Sequence, residues 1–112
     1  MANISNPHND VYPVLLDANA SAFAAGHYET AYHALMAALH AAQDQHEPSR
    51  LERVSSLASQ QQKFLDQTAP EHRLSTASAA EHGHPGVYAQ ASRQADAQAS
   101  LARLWQQRAG AS

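Results

Sequence analysis

The 112-residue chain contains no cysteine. Disulfides, thiolate nucleophiles and cysteine-bearing zinc sites are therefore excluded, and the absence fits a reducing compartment. Glycine and proline are scarce, at 4 and 5 residues. Strand formers are scarcer still: isoleucine occurs only as Ile4, and valine only as Val11, Val14, Val54 and Val87. No apolar run approaches the ~18 residues that a membrane-spanning helix requires. The opening MANISNPHND has neither a basic start nor an apolar stretch, so no secretory signal is expected. Basic residues are few and scattered, at Arg50, Arg53, Lys63, Arg73, Arg93, Arg103 and Arg108. They make no stripe that could track a phosphate backbone, so nucleic acid is not an expected partner. A membrane is not expected either, and the expected location is the cytoplasm.

What remains is alanine, leucine, glutamine, glutamate and arginine, a composition that favours helix. The length suits one domain with a modest core. Polar residues 1–9 read as a flexible tail, and residues 10–109 as a single helical domain. The formal net charge is −3, and 8 histidines make it sensitive to mildly acidic pH.

Asp10 can cap a first helix, with Pro13 tolerated in its opening turn. Val11, Leu15, Ala18, Ala22 and Ala25 predict its inner face, broadened by Leu16 and Phe23. Gly26 offers a left-handed stop. A second helix is expected from about His27 to Gln45, with Tyr28, Ala31, Leu35, Ala38, Leu39 and Ala42 as its apolar stripe. Pro48 breaks the chain before a third helix over about 49–67, carried by Leu51, Val54, Leu57, Ala58, Gln61, Phe64 and Leu65. Residues 70–82 offer only Leu74 as an anchor and read as a short helix or an ordered loop. HGHPG then punctuates the chain. The last helix is expected from residue 85 or 86 to 109. Its stripe is Val87, Ala91, Gln94, Gln98, Leu101 and Trp105, joined by Tyr88, Ala95, Ala102 and Leu104.

Gly26, Tyr28, Glu29, Ala31, Leu35, Ala38 and Leu39 make the pattern G-x-Y-E-x-A-x(3)-L-x(2)-A-L. This resembles the turn and second helix of a tetratricopeptide repeat, over about one repeat, residues 12–45. The resemblance implies a glycine turn, a tyrosine packed back on the first helix, and alanines where two helices cross closely. Asn19 and Ala22 depart from the family's first-helix pattern, and no second such turn follows downstream. The fold expected is all-α. It has four to five helices, an antiparallel bundle of tetratricopeptide-like right-handed hairpins.

Chemistry is sparsely marked. Glu29, His33, His40 and Asp44 share one side of the second helix, so Glu29 and His33 could bridge a metal. The plainer reading is a solvated face, since a metal site needs three or four convergent ligands. In EHGH, His82 and His84 flank a glycine beside Glu81; a polar loop is the plainer reading there. No G-x-S-x-G, phosphate loop or H-E-x-x-H occurs, and the carboxylates are dispersed. No catalytic residue and no cofactor is assigned. The expected function is a non-catalytic, tetratricopeptide-like protein–protein interaction module that could also self-associate as a homodimer. A helix face or groove would accept a protein or peptide partner, with Tyr32, His33, Met36, His40 and Trp105 as contacts. The alternative is a small metal- or ligand-binding bundle using surface histidines, with Glu29, His33, His82 and His84 as ligands.

Overall fold

Asp10 is the first of the described residues. In the computed structural model, which describes residues 10–111, its carboxylate accepts the Tyr12 N–H at 3.3 Å and caps helix α1, Val11–Ala24. The tail expected over residues 1–9 lies outside the described residues. At the end of α1, Gly26 takes φ 81°, and the Gly26 and His27 N–H groups donate to Phe23 and Ala22 carbonyls. That left-handed turn reverses the chain into α2, Tyr28–Gln45. His46 at φ 53° closes α2, and Pro48 opens α3, Pro48–Thr68, where its missing N–H costs nothing. Ser75 caps the short α4, Thr76–Glu81, by accepting the Ser78 N–H. Helix α5, Val87–Ala111, is the last described element. All described regular structure is helical.

Two antiparallel pairs result: α1 packs on α2, and α3 packs on α5. Helix α2 joins the pairs by packing on α3 and touching α5. The assembly is a slab of 50 × 30 × 17 Å. Leu35 and Leu39 of α2, Leu51, Val54 and Leu65 of α3, and Tyr88 of α5 are fully buried along the seam. Each such side chain contributes about 1.5–3 kcal/mol of apolar burial. Alanines fill the remaining inner positions: Ala31, Ala38 and Ala42 on α2, and Ala91, Ala95, Ala99 and Ala102 on α5. Small residues let the helix axes approach closely.

Two faces differ from the sequence expectation. Helix α1 buries Tyr12 and Asn19, with Leu15, Leu16, Ala22 and Phe23 half-buried, while Val11, Ala18 and Ala25 stand exposed. It is apolar nearly all round, so periodicity alone cannot select its inner face. Helix α5 turns its alanine row inward and leaves Leu101, Leu104 and Trp105 outside, Trp105 at 58% exposure. Close packing on α3 selects the small residues, which leaves Trp105 of the expected stripe outside the core.

Candidate interaction groove

Helices α1 and α3 are not a packed pair, yet side chains tie them together. At one end, the Tyr12 hydroxyl donates to the Arg50 carbonyl at 3.2 Å. The Arg50 guanidinium lies 4.5 Å from the centre of the Tyr12 ring and donates twice to the Asp10 carboxylate, at 3.0 and 2.9 Å. The Arg50 hydrogen bonds hold the Asp10 carboxyl below the usual carboxylate range, against a smaller upward push from burial. Burial pushes the Tyr12 phenol up, partly offset by Arg50 and Arg53.

At the middle, Asn19 and Gln61 form a buried reciprocal amide pair. Asn19 Nδ2 donates to Gln61 Oε1 at 3.1 Å, and Gln61 Nε2 donates to Asn19 Oδ1 at 2.6 Å. Asn19 Nδ2 also donates to the Ala31 carbonyl of α2 at 2.7 Å. Three helices thus meet at one polar junction whose amide groups are satisfied by one another and by the backbone.

At the far end, rings take over. Phe23 of α1 meets Tyr28 and Phe64 edge-on, at centroid separations of 5.0 and 5.3 Å. Tyr28 in turn meets His72 edge-on at 5.4 Å. These are favourable ring geometries. Phe64 nevertheless remains 46% exposed.

Between these ties runs a groove with two hollows. The aromatic hollow, of about 580 Å³, is lined by Phe23, Tyr28, Leu57, Phe64 and the alanines before Gly26. The polar hollow, of about 350 Å³, is lined by Tyr12, Leu16, Asp17, Asn19, Arg50 and Arg53. Ala20, Leu57 and Gln61 border both, so the hollows adjoin at Gln61 of the amide pair. Phe64 stands as a ridge, since its other flank borders a third hollow of about 280 Å³ with Lys63 and Gln67.

The expected contact residues fall elsewhere. Tyr32 is half-buried, its ring edge-on to Tyr88 at 5.4 Å and to exposed His33 at 5.5 Å. Burial pushes its phenol up. Met36 and His40 border a separate hollow on the opposite side of α1, with Val11, Leu15 and Asp44. Trp105 borders a small hollow with His46, Leu51 and Leu101 and carries Arg108 over its ring at 5.9 Å. The five residues do not form one surface.

The histidine candidates are each engaged separately. Glu29 pairs with Arg73, not with His33. The His82 ring bonds the Ser78 carbonyl at 2.8 Å, and His84 Nδ1 accepts the Gly86 N–H at 3.2 Å. Among the described residues, no three His, Cys, Asp or Glu side chains converge as metal ligands.

Sequence reading missed the α1–α3 groove because its walls lie some forty positions apart, as in the Asn19–Gln61 pair. Two signals pointed toward it: an asparagine inside an apolar helix, and a glutamine on an otherwise apolar stripe. Such residues must find buried partners.

No protein-family model, curated protein or solved structure matches the chain. Among the described residues, no helix is long and apolar enough to cross a membrane.

Proposed function

We propose that the chain is a non-catalytic, tetratricopeptide-like interaction module of the cytoplasm, and that it receives a segment of a partner protein in the groove between α1 and α3. The observation that carries the proposal is the aromatic hollow. An open, apolar cleft bordered by rings already fixed edge-on to one another provides an anchor site that a partner's side chain would desolvate at little ordering cost. Its open form suits a side chain presented by another chain better than a small molecule enclosed on all sides.

The test is comparative capture from the native host, using the wild-type chain, a Phe64→Ser variant and a Trp105→Ser variant. A groove partner is lost with Phe64→Ser and kept with Trp105→Ser. The opposite pattern would move the interaction site to the end of α5. Self-association is the second reading, favoured by the exposed Leu101, Leu104 and Trp105 on one helix end. Solution mass measured across a dilution series decides it: a mass that stays monomeric at high concentration removes it.

A further inference from the structure

The outer side of α5 carries a pattern that packing within the chain does not use. Helix α5 buries Tyr88, Ala91, Ala95, Ala99 and Ala102 against the bundle. Away from that row, Gln90, Gln94, Ala97, Leu101, Leu104 and Arg108 follow one another at steps of four, three, four, three and four, and all six are exposed. That alternation is a heptad spacing, which keeps one stripe of a helix turned toward a partner helix. The stripe is apolar over its central layers, Ala97, Leu101 and Leu104, with Trp105 along its edge. From Arg103 to Gly110 every residue is exposed, so the last turns of α5 lie outside the core of the bundle. So short a helical segment draws its stability from packing an apolar stripe.

We infer that this stripe pairs with a second copy of itself, α5 against α5 and antiparallel, in a two-fold homodimer. The ground is self-complementarity. Centred between Ala102 and Arg103, the stripe meets its own copy in matched layers: Leu101 faces Leu104 of the second copy, and Leu104 faces Leu101 of the second copy. Arg108, the charged residue of the stripe, falls opposite Ala97 of the second copy, where its long stem has room. It is then level with Asp96 of the second copy, an exposed carboxylate that forms no ion pair among the described residues. Trp105 flanks the seam beside Gln98 of the second copy. A parallel pair would set Arg108 against Arg108, like charge on like charge. The two-fold axis makes every contact twice, so one stripe supplies both halves of the interface. An interface of about three helical turns is at the small end for specific association, so the dimer should dissociate on dilution. The inference rests on the self-association reading above and adds its geometry. None of the stripe residues borders the aromatic slot between α1 and α3.

The chain has no cysteine and a single tryptophan, so both the register and the burial of the seam can be read directly. Ala97→Cys and Arg108→Cys are prepared as separate full-length variants, both at exposed positions. Under mild oxidation, an equal mixture should form the mixed disulfide at least about tenfold in excess of either like pair, because pairing raises the effective concentration of facing thiols. Like positions would stand about 16 Å apart along the antiparallel seam. The solution mass of the wild type should rise toward a dimer with concentration, while the Trp105 emission moves to the blue. Leu104→Glu should abolish both changes, and an unchanged melting temperature in dilute solution verifies its fold. Like-pair disulfides in excess mean a parallel pair and overturn the inference. A dimer that forms none of these disulfides in excess, or that survives Leu104→Glu, also overturns it and leaves self-association standing through another surface. A mass that stays monomeric at every concentration overturns both.

Discussion

The aromatic slot and the end of α5 both expose large apolar side chains, but they are built differently. In the slot, Phe64 is braced by Phe23, which is braced by Tyr28, over a floor where Asn19 and Gln61 lock α1 to α3. At the end of α5, Leu101, Leu104 and Trp105 project from a single helix, with Arg108 over the Trp105 ring as their ring contact. Exposure alone therefore does not mark a site. What separates the two is how much ordering has already taken place before a partner arrives.

The largest effect should come from breaking the floor of the slot. Asn19→Leu leaves the Gln61 amide buried without its partner, and should cost about 1–3 kcal/mol in chemical denaturation. Asn19→Leu combined with Gln61→Met should recover part of that loss, because replacing both partners removes the unpaired amide. If the double variant is no better than the single one, the amide pair is not the source of the cost.

The latch at the other end of the groove gives a pH signature. The Asp10 carboxyl is held low in the folded chain, so its stabilisation is present above its unfolded pKa of about 3.9 and is lost as pH falls through the lower folded value. Melting temperatures measured from pH 5 down to pH 3 should therefore fall more steeply for the wild type than for Asp10→Asn. Parallel curves would remove the latch as a contributor.

A smaller change is expected on the α2–α5 side. Among the described residues the Tyr88 hydroxyl is buried without a hydrogen-bond partner, beside the Tyr32 ring, and its pKa is raised strongly by burial. Tyr88→Phe removes an unsatisfied polar group while keeping the ring, and should stabilise the fold by up to about 1 kcal/mol. A loss of stability would mean the hydroxyl has a partner after all. Smallest of all, Trp105→Ala and Leu104→Ala should shift stability by no more than about 0.5 kcal/mol, because neither side chain is packed into the core. A large loss on unfolding by denaturant would show that the end of α5 is held as firmly as the slot.

The helices were legible because each signal is local. Asp10, Gly26 and Pro48 mark helix ends through the chemistry of single residues, and Leu35, Leu39, Leu51, Val54 and Leu65 repeat at helical spacing. The inner faces of α1 and α5 were not legible, for two different reasons. Helix α1 has apolar residues on every side, and α5 buries alanines in preference to leucines and tryptophan because its axis lies close to α3. The groove was least legible, since no local pattern brings Phe23 to Phe64 or Asn19 to Gln61. Attention to polar residues inside helices would have come nearest to it.

The Asn19–Gln61 pair has one further consequence. Neither amide titrates, so the joint beneath the groove is held by groups that remain neutral from acid to base. Around it, the charges are carried by Arg53, Asp17 and the Asp10–Arg50 pair. The width of the groove is thus set by a pH-blind and salt-tolerant fastener, while the ion pair at its end weakens as salt rises.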